Sequence, residues 1–330
     1  MGPTALEELG LGCPGGRVME SVAVVIVSYR SEPTIGLCIR SLTAACEGVE
    51  ARGYVVDNAS DDFSVDAARD AAAAIQAEVP VEVMPRHSNG GFAVGANLGM
   101  SRALVTEPDW LLFLNPDTVM PPGSVGSMID VARSWNRPAV VAPALVNLDG
   151  SAQPMVERTY RIGRVLAGMA RIGGANRATP VPDGAAPFAA DWVHAAVLLV
   201  PTKLAQSIGG FDESYFLYAE DMDFCLRARK AGADIVVAPQ VRVPHVSGAS
   251  AALSGGEPFR AADRVSGLGL FLRKEHGRWA SALFGLVTAA TSLPAAIVDR
   301  SRGNEAQAEI QRAKAGAGLR VLVGRGPRRR

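Results

Sequence analysis

Ser21-Val-Ala-Val-Val-Ile-Val-Ser-Tyr29 is the stretch of sequence that decides the fold. Its apolar residues follow one another without alternation, which predicts a strand buried on both faces, as in a parallel sheet. A helix is expected directly after it, because Ser31 can cap a helix that has Pro33 in its first turn. Tyr54-Val-Val56 then predicts a second strand, which ends at Asp57. The order strand, helix, strand indicates the start of a doubly wound α/β sheet.

The alternation of strands and helices continues along the chain. The next predicted elements are a helix over 62–78, a strand over Val81–Met84, a helix over Gly91–Leu104, a strand over Trp110–Leu114, a helix over about 122–135 and a strand over Ala139–Ala142. A turn, a helical piece and a loop are expected over 147–190. The last predicted elements of this region are a strand over Val193–Val200, a helix over Glu220–Lys230 and a strand over Asp234–Ala238. The expected fold class is therefore α/β with a mostly parallel sheet.

Composition excludes several classes of function. The 330 residues carry no net charge, so nothing global favours a nucleic-acid partner. The 4 cysteines form no C-x-x-C pair and are too few for a disulfide framework, which favours reduced thiols in the cytoplasm. Cys38 and Cys225 fall in apolar helical patterns and are expected in the core. Residues 1–18 lack the basic and apolar regions of a signal peptide and are expected to be a flexible N-terminus.

A helical extension is expected over 251–315. Its segment Trp279–Val298 has no charged residue and is long enough to span a bilayer, although serines, threonines and a proline make it only moderately apolar. A helical hairpin that lies on the membrane or on the body of the protein is favoured over a span, since basic residues flank the segment on both sides. Residues 316–330 are expected to be a basic flexible tail, with weak attraction to anionic lipid as its functional alternative.

Two aspartates, Asp57 and Asp117, follow strong strands. Ligands of open α/β sheets bind beyond the carboxyl ends of the strands, so both carboxylates are placed to face a ligand. Turn formation or helix capping is the structural alternative for either residue alone. The glycines of Asn89–Gly99 recur every four residues, which predicts close packing of one helix face. Whether the Gly90-Gly91 turn also lets the backbone approach a nucleotide or sugar stays open at this point.

Glu220, Asp221 and Asp223 cluster at the start of a predicted helix. Acids in a first turn complement the helix dipole, which is the structural interpretation. Aromatic residues precede the cluster, however, and a carboxylate beside apolar rings can accept a proton near neutral pH. His245 follows the last predicted strand, and a lone histidine is more often a hydrogen-bonded structural residue than a ligand.

Six motifs occur in order at ordinary spacing. They are Val24-Val-Ile-Val-Ser-Tyr29, Val56-Asp-Asn-Ala-Ser60, Asn89-Gly-Gly-Phe-Ala-Val-Gly-Ala-Asn97, Leu114-Asn-Pro-Asp117, Gly209-Gly-Phe-Asp-Glu213 and Glu220-Asp-Met-Asp-Phe-Cys-Leu-Arg227. Together they resemble family 2 glycosyltransferases of the GT-A fold, and most of all the bacterial branch called rhamnosyltransferases. The match covers about residues 21–250. It implies a GT-A domain over 19–250, with a nucleotide-sugar half over 19–145 and an acceptor half over 146–250.

The resemblance also implies roles on the donor side. Asp57 would hold the base or ribose of the nucleotide, and Ser28 and Tyr29 would line the same pocket. Asp117 would bind a divalent cation, Mg²⁺ or Mn²⁺, that bridges the diphosphate, and His245 would be a further metal ligand. The family's D-x-D signature here has a single carboxylate, since Asn115 replaces the first aspartate. The other residues expected near the donor are Asn89, Gly90, Asn97 and Asn115.

On the acceptor side, the resemblance makes Asp221 the general base and Glu220 its rival. Trp192 and the segment Gly209-Gly210-Phe211-Asp212 would shape the acceptor site. The implied reaction is an inverting transfer of a sugar, with dTDP-rhamnose as the favoured donor, to a hydroxyl of a lipid-linked or cell-envelope glycan. The enzyme would act in the cytoplasm, at the inner face of the plasma membrane, in peripheral contact with it.

Two alternatives remain open. A sugar nucleotidyltransferase usually has a glycine-rich loop after its first strand, whereas Ser28-Tyr-Arg-Ser-Glu-Pro33 contains no glycine. A non-catalytic protein that binds nucleotide sugars is disfavoured, because Asp57, Asp117 and Asp221 are all present.

Overall fold

The computed structural model describes residues 19–157, 178–246 and 256–324. The elements of the first half are β1 (Ser21–Ser28), α1 (Glu32–Ala45), β2 (Glu50–Asp57), α2 (Ser64–Ala74), β3 (Val81–Pro85), α3 (Phe92–Ala103), β4 (Trp110–Leu114), α4 (Ser124–Ser134) and β5 (Ala139–Val146). Those of the second half are β6 (Pro154–Glu157), β7 (Thr179–Pro180), β8 (Phe188–Ala190), β9 (Trp192–Val193), β10 (Val197–Pro201), α5 (Thr202–Ser207), α6 (Glu220–Lys230), β11 (Asp234–Pro244), α7 (Gly256–Ser301) and α8 (Glu305–Leu322).

The main sheet has 8 strands in the order β3-β2-β1-β4-β10-β5-β11-β8. Parallel pairing joins β3, β2, β1 and β4, as the βαβ rhythm predicts, and joins β5 to β11. β10 runs antiparallel to β4 and β5, and β8 runs antiparallel to β11, so the sheet is mixed. From Val22 onward β1 is buried, because helices cover both faces of the sheet. The α/β fold class with a C-terminal helical extension is confirmed.

One predicted strand, Val193–Val200, is wrong as a single element. β9 pairs with β6 in a separate 3-stranded sheet, whereas β10 belongs to the main sheet. The chain crosses between the two sheets at residues 194–196. Apolar composition predicts burial but cannot show that the chain changes sheets.

Two other strands are longer than predicted. β5 runs to Val146 and β11 to Pro244, because the two strands pair again beyond Ala238, from Arg242 opposite Ala144 to Pro244 opposite Val146. A register shift between Ala238 and Arg242 accommodates Pro239, which has no N–H for the ladder. This extension carries β11 up to His245, which makes a bridge to Thr118.

The helical extension is a hairpin. α7 is interrupted at Gly277, where φ is 83°, and its second half packs against α8. A Cβ on Gly285 would lie 2.5 Å from the carbonyl oxygen of Gly318, so the two backbones touch. The predicted flexible tail begins too early, since residues 316–322 are helical and Val321 is buried against α7. The predictions for 1–18 and 325–330, and the part of the prediction for 147–190 that concerns 158–177, fall outside the described residues.

Candidate active site

A cavity of about 740 Å³ opens beyond the carboxyl ends of β1, β2 and β4, where an α/β sheet binds its ligands. Tyr29 follows β1, Asn58 follows β2 and Asn115 follows β4 in its wall. The other walls come from the segment around His194, the first turn of α6 and the first half of α7. One cavity thus joins strand ends of the main sheet to the helical extension.

The expected donor-side residues divide into two groups. Tyr29, Asn89 and Asn115 line the cavity, whereas Ser28, Asp57, Gly90 and Asn97 do not line it. The carboxylate of Asp57 accepts hydrogen bonds from the backbone N–H of Ser60 at 2.8 Å and from its hydroxyl at 2.6 Å. Asp57 therefore shapes the turn after β2, and Asn58 beside it reaches the cavity.

Asn97 is occupied with the backbone of Phe211. Its Nδ2 donates to the carbonyl oxygen of Phe211, and its Oδ1 accepts from the N–H of the same residue, both at 2.8 Å. These bonds fasten α3 to the segment that precedes α6. The side chain of Asn97 is held away from the cavity by both bonds.

The segment Gly210-Phe211-Asp212 also stays outside the cavity wall. Phe211 is buried and stacks on Phe224 with 4.5 Å between ring centroids. The carboxylate of Asp212 forms an ion pair with Lys274 of α7, which together with Ser214 lowers the pKa of Asp212 against the effect of its burial. The segment therefore packs against the residues of the site without lining the cavity.

Gly91 connects the loop before α3 to the turn before α6. Its φ is 84°, and a Cβ at this position would overlap the carbonyl oxygen of Phe216. The Nδ2 of Asn58 donates to the Gly91 carbonyl at 3.0 Å, while Arg86 donates to the Oδ1 of Asn58 at 2.6 Å. Only glycine fits such a close approach at positive φ.

The two expected metal ligands meet at the cavity. The Nε2 atom of His245 lies 3.3 Å from the Oδ1 atom of Asp117, and both residues line the wall. β11 and the segment after β4 bring them together, because Val246 donates its N–H to the carbonyl of Asp117 and Val119 donates to that of Pro244.

Gln153 fixes the tautomer of His245. The Nε2 of Gln153 donates to the carbonyl oxygen of His245 at 2.7 Å and to Asn147 Oδ1 at 2.9 Å, which leaves its Oε1 as an acceptor. This Oε1 lies 2.9 Å from Nδ1 of His245, so Nδ1 carries the proton. In the neutral ring, the bare Nε2 then faces the carboxylate of Asp117. Two acceptors at this distance need a proton or cation between them, and a site of one imidazole and one carboxylate suits Mn²⁺ better than Mg²⁺.

No third histidine, cysteine or acidic side chain joins this pair among the described residues. An ion held there would need further ligands from the diphosphate of a donor and from water.

The first turn of α6 places two carboxyl groups at the cavity. Glu220 is buried, and its burial, together with the nearby charge of Asp221, raises the pKa of its carboxyl well above the usual range. Burial thus favours the protonated form of Glu220. Asp221 is only half-buried, and its Oδ1 and Oδ2 accept from the N–H groups of Met222 at 2.8 Å and Ala195 at 3.4 Å.

The turn before α6 has unusual backbone geometry. Tyr218 and Ala219 have φ values of 67° and 71°, which side chains with a Cβ rarely adopt. The nearby α7 holds this turn, since Leu217 donates its backbone N–H to Asp263 and Arg264 lies 5.1 Å from the ring centroid of Tyr218. Left-handed residues persist where the surroundings over-determine them, and they cluster at functional sites.

Asp223, the third acid of the cluster, has a structural contact. It forms an ion pair with Arg227 at 2.6 Å, and Arg227 also donates to the carbonyl oxygens of Ile208 and Gly210 at 2.7 Å. This network ties α6 to the segment before it. The helix-dipole interpretation is sufficient for Asp223.

Trp192 lines the cavity as expected and has a partner that sequence reasoning missed. Its ring stacks on that of His194 with 5.3 Å between centroids and an angle of 5°. The stacked pair lies at the point where the chain crosses between the two sheets.

Further wall residues missed from the sequence come from α7. They are Phe259, Arg260, Arg264 and Leu268. The spacing of the two arginines indicates that they share one face of a helix. No sequence pattern near them shows that α7 folds back onto the strand ends.

Comparison with known proteins gives a consistent family. The model of the family described as "Glycosyltransferase like family 2" matches residues 20–263. The chain is 29% identical over 275 residues to the N-acetylglucosaminyl-diphospho-decaprenol L-rhamnosyltransferase of Mycobacterium tuberculosis, covering 78% of this chain and 85% of that protein. It is also 29% identical over 168 residues to the rhamnosyltransferase WbbL of Escherichia coli, covering 48% of this chain and 62% of that protein.

A solved structure supports the fold. The mannosyltransferase PcManGT of Pyrobaculum calidifontis, in complex with GDP-Man and Mn²⁺, is similar with a TM-score of 0.54 and 14% identity, over 96% of this chain and 92% of that one. The mixed sheet with its helices is thus the GT-A fold. With the family model spanning most of the chain, the protein belongs to the family 2 glycosyltransferases, in the rhamnosyltransferase-like branch, and is a glycosyltransferase that uses a nucleotide sugar.

Proposed function

We propose that this enzyme transfers L-rhamnose, with inversion, from dTDP-rhamnose to a hydroxyl of a lipid-linked glycan acceptor. The observation that carries the proposal is that the Asp117–His245 pair and Asp221 share one cavity. The identity of the sugar and of the acceptor is supported by the relatives, which are rhamnosyltransferases, one of them for a diphospho-decaprenol acceptor.

Asp221 is the proposed general base. It is half-buried at the cavity, whereas its neighbour Glu220 is buried with a pKa raised well above the usual range. The group that accepts a proton must be ionised and reachable. Asp221 is the more exposed of the two residues, and the raised pKa of Glu220 disfavours the ionised form that a base needs. It would deprotonate the acceptor hydroxyl as that oxygen attacks the anomeric carbon, the C–O bond to the diphosphate breaks, and the nucleoside diphosphate leaves with the bonding electrons. Glu220, whose protonated form is favoured by burial, would orient a hydroxyl or a neighbouring group.

Asp117 and His245 are proposed to hold a divalent cation, together with the diphosphate of the donor. When bound, this ion would offset the negative charge that develops on the leaving nucleoside diphosphate. Tyr29, Asn89 and Asn115 are the proposed donor contacts among the cavity residues. Asp57 would act through the turn that it shapes, and the Trp192–His194 rings would face the acceptor sugar.

A nucleoside-diphosphate release assay tests this function. Purified full-length enzyme is given dTDP-rhamnose or other dTDP-, UDP- and GDP-sugars, with a diphosphate-linked glycolipid extract and with Mn²⁺, Mg²⁺ or EDTA. The expected result is release that needs dTDP-rhamnose, lipid extract and metal together. Pyrophosphate formation from a nucleoside triphosphate would instead revive a nucleotidyltransferase, and binding of donor without release against any acceptor would indicate a non-catalytic protein.

The second half of α7 is proposed to lie on the inner face of the plasma membrane. Within the described residues, α7 is the one helix long and apolar enough to cross a membrane by length and composition. Small residues cover its face toward α8, and large apolar side chains are exposed in a helical stripe elsewhere. The stripe is formed by Trp279, Leu283, Leu286, Leu293 and Ile297. A one-sided stripe beside arginines is typical of an interfacial helix and not of a span.

Flotation with anionic vesicles checks this location. Replacing Trp279, Leu286 and Ile297 with serine should lower the bound fraction at least tenfold, since each buried apolar side chain contributes on the order of 1.5 kcal/mol or more. Serine at Phe63, Val105 and Leu148, which are 68–73% exposed on the glycosyltransferase domain, is the matched control and should change nothing. Equal flotation of both triple variants would place the contact elsewhere.

A further inference from the structure

Two arginines of α7 reach the cavity from the side of the helical extension. Arg260 and Arg264 are four residues apart, so they lie on the same face of the helix, and both line the cavity wall. The carboxylate of Glu257 bridges them, with Oε2 at 2.6 Å from Nη2 of Arg260 and Oε1 paired with Nη2 of Arg264. One carboxylate thus orients two guanidinium groups.

The charge of this cluster is unbalanced. Glu257 neutralises one guanidinium, so the three side chains together keep about one positive charge. The wall of the same cavity carries Asp221 and Asp117. The Nε–H of Arg260 is buried and has no hydrogen-bond partner among the described residues. A buried N–H without an acceptor costs free energy, which an anionic ligand would recover.

The chemistry of the pair selects the class of ligand. Guanidinium groups present forked N–H donors that match two oxygens of a phosphate, and two such forks match a diphosphate. An acidic sugar would offer a single carboxylate and leave one fork unused.

We propose that Arg260 and Arg264 form a binding site for a diphosphate group, separate from the Asp117–His245 pair. This inference rests on the proposed function, because both substrates of that reaction carry a diphosphate. The order of features along α7 favours the acceptor as its source. Along α7 the arginines come first and the exposed apolar stripe from Trp279 to Ile297 comes after them. A lipid-linked acceptor has the same order, because its diphosphate is followed by an apolar polyprenyl chain.

Binding of inorganic pyrophosphate tests the site without turnover. Calorimetry on the full chain in EDTA removes any contribution from a bound metal ion. Arg260→Gln with Arg264→Gln should weaken pyrophosphate binding at least tenfold, whereas the double lysine variant should lose less affinity, because it keeps both charges but lacks the forked donors. Arg312→Gln is the control, since Arg312 pairs with Glu305 on the exposed side of α8. Equal affinity in wild type and the double glutamine variant, with both folded by circular dichroism, overturns the proposal.

Two further arms identify the source of the diphosphate. If the acceptor supplies it, the double glutamine variant raises KM for a diphosphate-linked glycolipid at least tenfold and leaves the Kd of dTDP unchanged. For an acceptor with the same sugar on a neutral alkyl chain, KM should then be the same in wild type and variant. Any fall in kcat should be equal for both acceptors, because Arg264 also contacts Tyr218 in the turn before α6. If the donor supplies it, the Kd of dTDP rises instead and both acceptors are affected alike.

A failure of the arginine site can be told apart from a failure of the proposed function. Pyrophosphate binding is measured without a donor or an acceptor, so a wrong donor sugar leaves this arm intact. Conversely, rhamnose transfer that does not change in the double glutamine variant would reject the arginine site and leave the proposed function standing.

Discussion

At the scale of single residues, Asp221 and Glu220 occupy adjacent positions with opposite environments. Asp221→Asn should lower kcat by about 10²-fold or more, since a general base contributes about 10²–10⁴ to the rate, while the Kd of dTDP stays unchanged. Glu220→Gln should cost less than about tenfold, because burial favours the protonated carboxyl group, which an amide resembles in charge. Steady-state release of dTDP and calorimetry measure the two quantities. The reverse ranking of the variants would make Glu220 the base.

Gln153 is a second residue whose effect can be isolated. It touches His245 through Nδ1 and through the backbone carbonyl, so Gln153→Leu removes the group that orients the imidazole. Loss of such a partner typically weakens metal affinity about 10–100-fold. The expected result is a rise of that size in the Mn²⁺ concentration needed for half-maximal binding, measured by electron paramagnetic resonance in the presence of dTDP.

Gln240→Leu is the matched control, because Gln240 is exposed on β11, the strand that leads to His245. It should leave Mn²⁺ binding unchanged. An unchanged Mn²⁺ affinity in Gln153→Leu as well would mean that His245 is not oriented by Gln153, or is not a ligand.

At the scale of elements, α7 controls the turn that begins α6. Gly267 lies against this turn, and a Cβ there would be 2.5 Å from the carbonyl oxygen of Tyr218. Gly267→Ala should therefore push α7 away from the turn and shift Asp221. Since misplacement by about 1 Å can cost 10²-fold, kcat should fall by one to two orders of magnitude, with little change in the Kd of dTDP.

Gly316→Ala on α8 is the control for this prediction. A Cβ there meets only the end of the Arg320 side chain at 3.8 Å. Alanine in place of glycine inside a helix stabilises by up to about 1 kcal/mol, so this variant should keep full kcat and melt slightly higher. If Gly267→Ala keeps full kcat too, then α7 does not support the turn before α6.

At the scale of the whole molecule, the sequence predicts what depends on local pattern. The continuous apolar run of β1 indicated the sheet. The aspartates at the end of β2 and after β4 indicated the edge of the sheet that holds the cavity. The contacts of Asn97 were out of reach, because its partner Phe211 is 114 residues away along the chain. The same holds for Gln153 and for the arginines of α7, whose neighbours are set by how the extension folds back. Motifs thus predicted that the acidic turn and the Asp117–His245 pair lie at the cavity, but not which nearby polar residues are structural.

The junction between the glycosyltransferase domain and the helical extension contains a buried carboxyl group whose titration affects the stability of both. Asp263 of α7 is 4% exposed, and burial raises its pKa to about 7, although the Leu217 N–H and Arg320 oppose the shift. Glu220 faces it across the junction and is itself shifted upward, partly by Asp263. A carboxyl group with a raised pKa keeps its proton in the folded state after the unfolded chain has lost it, so its stabilising contribution is full below about pH 4 and lost as pH rises to about 7.

Asp263→Asn should abolish this dependence, because asparagine is neutral at every pH. Relative to wild type, the free energy of unfolding of the variant should rise by about 2–3 kcal/mol between pH 5 and pH 8, about 1.4 kcal/mol per pKa unit. Thermal unfolding at the two pH values measures it, with Asp70→Asn on the exposed face of α2 as the control. Parallel curves for wild type and Asp263→Asn would mean that Asp263 is ionised in the folded protein, and Arg320 would then be its ion-pair partner across the hairpin. A gap that widens with pH would instead mean that the junction is held together by a neutral acid, and that alkaline conditions loosen α7 from the turn that positions Asp221.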